Sequence, residues 1–89
     1  MIEREAEIVN RLGLHARAAA KLVHTAGGYK SRVTVLKDGE EVDAKSILGI
    51  LLLAAGQGSQ VRIRCEGEDE AEALDAVTSL ISNRFDEES

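Results

Sequence analysis

Between Gln60 and Gly67 the side chains alternate, with Val61, Ile63 and Cys65 on one side and Arg62, Arg64 and Glu66 on the other. A strand of this kind keeps one face in a core and the other in water, so its sheet is covered by other elements on one side only. The remaining strand candidates obey the same rule. Ile2 to Val9 sets Ile2, Ala6 and Ile8 against Glu3, Glu5 and Glu7, Arg32 to Leu36 puts Val33 and Val35 on one face, and Glu40 to Asp43 offers Val42. Asp38-Gly39 separates the last two. A two-residue Asp-Gly link is a strong hairpin signal, because both of its positions favour positive φ.

Three other segments switch to helical spacing. From Ala16 to Ala26 the residues Ala19, Leu22, Val23 and Ala26 share one stripe, Arg17, Lys21 and His24 share the opposite one, and Gly27-Gly28 ends the run. A short apolar helix is expected from Ile47 to about Ala55, with Ser46 as its N-cap and Gly56 and Gly58 at its exit. The last helix is expected to start at Asp69, whose side chain caps it while Glu72 completes a D-x-x-E box. Leu74, Val77, Ile81 and Phe85 form its apolar stripe, and Arg84 falls near its end, where the helix dipole favours a cation. The resulting order, βαββαβα, predicts an α+β fold: an open-faced β-sandwich, with a four-stranded antiparallel sheet and three helices packed on one face. One domain over residues 1–89 accounts for the whole chain, with the acidic tail at 86–89 expected to fray.

A domain of this size buries about two-thirds of its unfolded surface, enough for a core without disulfides or metal. The single Cys65 cannot form an internal bridge, and with only two histidines the sequence predicts no metal site and no cofactor. A reducing, cytoplasmic location is the natural expectation. Met1 to Glu5 offers no apolar run of the signal-peptide kind, and the stretch from Ile47 to Ala55 is far short of the roughly 20 residues of a membrane helix, so no membrane insertion is expected. The net charge of −5 conceals an asymmetry: nine acidic residues and one arginine follow Cys65, giving −8, which leaves +3 for residues 1–65. No acidic residue lies between Ile8 and Lys37, whereas Arg11, Arg17, Lys21, Lys30, Arg32 and Lys37 all do. Either this is an ordinary solvated face or it is a local positive field suited to an anionic ligand or an acidic protein surface.

His15 sits inside that segment, where a glycine-containing loop meets the helix beginning at Ala16. Unpaired N–H groups of a first helical turn form an anion site reinforced by the dipole. The same partial positive charge favours a neutral ring with a lone pair free for attack. Arg17, two residues on, is within reach of oxygens added to that ring. These parts suit phosphoryl transfer, in which positioning and charge stabilisation are most of what a protein supplies. Taken alone, however, a histidine before a helix is more often a tolerated cap, and His24 on the polar stripe carries no assigned chemistry. Ser46 is fully explained as a cap, although a phosphate there is also electrostatically tolerated. In the short helix Ile50, Leu53 and Ala54 cover one side; Ile47, Leu48 and Leu51 are then either core or an exposed docking patch.

The run Asn10-Arg11-Leu12-Gly13-Leu14-His15-Ala16-Arg17-Ala18-Ala19 resembles the active-site signature of the HPr family, phosphocarriers of the bacterial sugar phosphotransferase system, and Val42-Asp43-Ala44-Lys45-Ser46-Ile47-Leu48-Gly49-Ile50 resembles the family's regulatory-serine segment. The likeness spans essentially the whole chain. It implies that His15 takes a phosphoryl group at Nδ1 from phosphoenolpyruvate-charged Enzyme I and donates it to sugar-permease A domains, with Arg17 steadying the group. It implies further that Ser46 is phosphorylated by HPr kinase/phosphorylase, and that Ala20, Ile47, Leu48 and Leu51 dock partners. The protein would then be a carrier rather than an independent catalyst. Two positions depart from the family pattern: Ala18 replaces a frequent proline, and Ala54 stands where glycine is common, which shifts the helix exit. The alternative within the same fold is a regulatory module, for nitrogen or carbon-catabolite signalling, that acts by protein binding, including to a transcription regulator. An unrelated RNA-binding sheet is disfavoured, since Tyr29 and Phe85 are the only aromatic residues and the chain is acidic, so no nucleic-acid partner is expected.

Overall fold

The structure is a computed structural model and describes residues 1–88. Strand β1 (Ile2–Glu7) leads to helix α1 (Ala16–Gly27); the hairpin β2 (Arg32–Lys37) and β3 (Glu40–Asp43) follows, then α2 (Ile47–Leu52), β4 (Gln60–Glu66) and α3 (Glu70–Ser82), with a closing 3-10 turn at Arg84–Asp86. The four strands form one antiparallel sheet in the order β1-β4-β2-β3. The expected open-faced α+β sandwich is therefore what forms.

Alternation along β4 explains both faces. Val61, Ile63 and Cys65 are buried, and across the ladders Val33 lies opposite Cys65 and Val35 opposite Ile63. On the other face Arg64 meets Glu3 at 2.7 Å and Glu41 at 3.0 Å, and Arg62 meets Glu5 at 2.9 Å, so outward charges pair across strands and keep that face in water. The tight turn at Asp38 (φ 51°) and Gly39 (φ 84°) has the two positive φ values expected of a two-residue hairpin link.

Helix α3 lies over β1 and β4, and α1 packs against α3 and α2. Leu22 and Ala26 of α1 and Leu74, Val77 and Ile81 of α3 fill the space between helices and sheet, with Ala18 and Ala19 also fully covered. Alanines at those two positions let α1 approach its neighbours closely. Among the described residues no helix is long and apolar enough to cross a membrane.

Several boundaries differ from expectation. Strand β1 stops at Glu7 rather than Val9; Ile8 still exchanges hydrogen bonds with Ser59 and Gly58, but Gly58 at φ 88° takes the partner chain out of the ladder. Helix α2 ends at Leu52, short of Ala55, because Ala54 adopts φ 52°, a left-handed conformation that cannot continue a right-handed helix. Ala54 is accordingly exposed and does not join Ile50 and Leu53 in the core. Asp69 occupies the N-cap position of α3 but does not cap through its side chain, so the D-x-x-E box is absent. Its carboxylate instead accepts from the Lys30 and Ser31 amides, both at 2.9 Å, and from the Ser31 hydroxyl. Three converging donors from the α1–β2 link outweigh one helix amide. Arg84 lies beyond α3, in the closing turn, and so is not placed at the helix dipole.

Candidate functional site

His15 is the N-cap of α1. Its backbone is extended (φ −74°, ψ 177°) and its carbonyl accepts the first helical bond, from Ala19 N–H at 2.8 Å. The amides of Ala16, Arg17 and Ala18 therefore precede the helical ladder. The imidazole Nδ1 accepts from the Arg17 amide at 3.3 Å, so the ring presents that nitrogen to the start of the helix. Its side chain is 27% exposed, neither entombed nor free in solvent.

The loop before it is tightly held. Gly13 N–H reaches the Asn10 carbonyl at 3.1 Å, Asn10 Nδ2 returns to the Gly13 carbonyl at 2.8 Å, and the Leu14 amide reaches the Ala55 carbonyl at 2.9 Å. Gly13, at φ 66°, has the backbone of Ala55 and Gly56 against it, leaving no room for a side chain. Leu14 and Asn10 are buried. The link after β1 is thus bolted to the segment after α2, and His15 inherits a fixed position from it.

Arg17 is exposed on the same open depression as His15 and Arg11, and its guanidinium forms no ion pair among the described residues. The local field, which charge counting left open between a positive patch and an ordinary solvated face, is mixed. Asp86, Glu87 and Glu88 border that depression too, so the acidic tail, expected to fray, folds back over the site as far as it is described; Ser89 lies outside the described residues. One Glu87 oxygen accepts from His15 Nε2, and the other accepts from Asn10 Nδ2 at 3.0 Å. Burial disfavours charge on the Glu87 carboxylate, but the hydrogen bonds from Asn10 and His15 prevail and hold its pKa below the ordinary glutamate value. Nothing in the sequence reading pointed to Glu87. The available signal was Phe85: an apolar residue that must reach the core obliges the chain around it to turn inward.

Ser46 caps α2 as expected, with its Oγ accepting from the Gly49 amide at 3.2 Å, and the residue is exposed. Ala20, Ile47, Leu48 and Leu51 are all exposed, Leu48 at 64%. The open choice for the apolar side of α2 therefore falls on surface rather than core. Leu12 and Leu52, not singled out from sequence, are exposed as well, and Leu12 borders the depression beside His15.

Fold and site together define a class: a small open-faced α+β protein that presents an imidazole nitrogen to the free amides of a helix start, next to an exposed apolar surface. Residues 2–83 match the family described as "PTS HPr component phosphorylation site". The chain is 53% identical over 87 residues to the phosphocarrier protein HPr of Cupriavidus necator, covering 98% of each chain, and 54% identical over 84 residues to that of Pseudomonas aeruginosa, covering 93% of each. A crystal structure of HPr-C-His from Thermoanaerobacter tengcongensis superposes with a TM-score of 0.97 at 47% identity, over 100% of both chains. The chain belongs to the HPr family of phosphocarrier proteins of the phosphotransferase system.

Proposed function

We propose that His15 accepts a phosphoryl group at Nδ1 from phosphoenolpyruvate-charged Enzyme I and hands it to sugar-permease A domains in the cytoplasm. The observation that carries this reading is the aim of Nδ1 at the Arg17 amide. The lone pair that now accepts from that amide forms the new N–P bond; the bond from phosphorus to the donor breaks and its electron pair leaves with the donor. The displaced Arg17 N–H and its neighbours then face phosphoryl oxygens, where the helix dipole favours negative charge. The Arg17 guanidinium, free of other ion pairs among the described residues, steadies the same oxygens. Transfer in either direction needs only a partner to supply or remove the group, so the protein acts as a carrier. Ala20, Ile47, Leu48 and Leu51 offer the apolar surface on which such a partner docks. Incubation with Enzyme I and phosphoenolpyruvate is expected to give an acid-labile, alkali-stable phosphate that is lost in His15→Ala; labelling that persists in this variant refutes the assignment.

A second, compatible role rests on Ser46, whose hydroxyl is exposed at the start of α2 and already within hydrogen-bond distance of the Gly49 amide. A phosphate there suits the helix start and places negative charge amid the apolar docking surface, which weakens that docking. HPr kinase/phosphorylase is the proposed modifying enzyme, and a transcription regulator a proposed reader of the modified form. Kinase treatment should label the wild type and leave Ser46→Ala unlabelled; equal labelling of both ends this assignment.

A further inference from the structure

The tail reaches His15 by an unfavourable route. Arg84, Phe85 and Asp86 take φ values of 57°, 53° and 63°, three consecutive non-glycine residues in the left-handed region. Each costs about 1–2 kcal/mol relative to ordinary backbone. Burial of Phe85 and a 2.6 Å bond from Lys21 Nζ to the Phe85 carbonyl offset this and fix the turn. The Glu87 amide then closes onto the Arg84 carbonyl at 2.9 Å, and the Glu87 side chain, only 16% exposed, lies between Asn10 and His15. Strain of this kind persists only where surrounding contacts over-determine it, and it gathers at functional sites.

The consequence for the ring follows from hydrogen-bond roles. A carboxylate accepts and does not donate, so the nitrogen it touches, Nε2, carries the proton. Nδ1 accepts from the Arg17 amide and therefore carries none. The two contacts specify the same tautomer from opposite sides of the ring. We propose that Glu87 is a positioning residue for phosphoryl transfer, holding His15 in the Nε2–H tautomer that leaves Nδ1 free, and balancing the positive charge the ring acquires once Nδ1 bears phosphorus. Asn10 orients it in turn: both of its Nδ2 protons are committed, one to Gly13 and one to Glu87, while its own Oδ1 is buried without a partner among the described residues. This proposal rests on the phosphocarrier reading above, but its first test does not require phosphate transfer. The other charged groups bordering the same depression are Arg11, Arg17, Lys21, Asp86 and Glu88.

A carboxylate at Nε2 stabilises the N-phosphorylated ring, which is cationic, more than the neutral ring left after transfer. Phosphate on His15 should therefore be held more firmly with Glu87 than without it. The test compares wild type, Glu87→Ala, Glu87→Gln and Glu87→Asp, with circular dichroism to confirm that each folds. Nitrogen-15 NMR of the imidazole, at a pH where the ring is neutral, should show one Nε2–H tautomer in wild type and a mixture in Glu87→Ala. Glu87→Gln, whose amide oxygen still accepts, should keep the tautomer, and Glu87→Asp should restore it in part. For the phosphorylated proteins, hydrolysis should speed up about three- to tenfold in Glu87→Ala and Glu87→Gln, the range set by a charge-assisted bond at a partly exposed site. An unchanged tautomer in Glu87→Ala overturns the proposal whatever the hydrolysis rate. A shifted tautomer with unchanged hydrolysis overturns the charge-balancing half. Absence of any His15 phosphorylation in wild type would instead count against the carrier function and leave the tautomer result standing.

Discussion

Gly13→Ala is the substitution that most directly tests how the position of His15 is fixed. A residue with a Cβ at φ 66° costs about 1–2 kcal/mol. The added carbon would lie 2.6 Å from the Ala55 carbonyl oxygen and 2.8 Å from Gly56 Cα, both of them backbone, so a loop rather than a side chain has to yield. Yielding separates Leu14 N–H from the Ala55 carbonyl, a bond worth about 1 kcal/mol, and overpacking adds about 1–3 kcal/mol. The smaller unfolded-state entropy of alanine returns about 0.4–1 kcal/mol. The net loss is about 2–6 kcal/mol, which for a domain of this length lowers Tm by about 8–45 °C. Gly39→Ala is the control: its φ is 84°, yet no atom lies within 4 Å of the added Cβ, so it bears the conformational cost alone. Urea unfolding of both variants separates the two contributions. Phosphorylation by Enzyme I should slow in Gly13→Ala and stay near wild type in Gly39→Ala, because only the first displaces the loop before His15. A Gly13→Ala protein no less stable than Gly39→Ala would refute the close approach and, with it, the account of how the loop holds the histidine.

Ala54→Gly should stabilise the protein by up to about 1.6 kcal/mol in urea unfolding, since relief of the left-handed alanine, about 1–2 kcal/mol, offsets the added unfolded-state entropy of glycine, about 0.4–1 kcal/mol. Leu48→Glu should leave stability within about 0.5 kcal/mol, because Leu48 is exposed, yet raise KM for phosphorylation by Enzyme I about tenfold or more if docking uses this surface; steady-state kinetics with unchanged KM would remove Leu48 from the interface. The hydrogen bonds of Asp69, led by the Ser31 hydroxyl and the Lys30 amide, lower its pKa from 3.8 to about 2. A depressed carboxylate stabilises the fold above its unfolded value, and that contribution fades as pH falls from about 4 towards 2. The stability gap between wild type and Asp69→Asn, followed by acid titration, should close over that window; a gap independent of pH would contradict the bonding seen at Ser31.

The fold was legible because its signals were periodic and independent of one another. Alternation in Val61, Ile63 and Cys65 set one sheet face, Asp38-Gly39 set the hairpin, and the stripe of Ala19, Leu22 and Ala26 set α1. What failed were competitions. Asp69 has the residue type of a cap, but whether a carboxylate turns to its own helix or to a neighbouring loop depends on Lys30 and Ser31, which lie 38 or more positions away. Ala54 is a good helix former, and only the requirement that Leu53 and Ala55 both be buried on either side of it bends the chain into the left-handed region there.

The candidate site divides along the same line. His15, Arg17 and the helix start under them are neighbours in sequence, so their geometry follows from local rules, and Ser46 follows for the same reason. Glu87 is 72 residues from His15, in a run of acidic residues that composition alone assigns to solvent. It reaches the ring because Phe85 is drawn into the core and Lys21 holds the Phe85 carbonyl, and neither constraint announces which carboxylate then faces inward. The charge sum around His15 could not decide between its two readings for this reason: the basic segment and the acidic tail, opposite in sign and far apart in the chain, border the same depression. A phosphoryl group placed on Nδ1 would therefore meet the Arg17 amide on its own side of the ring, while the Glu87 carboxylate lies at Nε2. In the proposed transfer, that arrangement would let the site take a dianion at Nδ1 while the negative partner stays at Nε2.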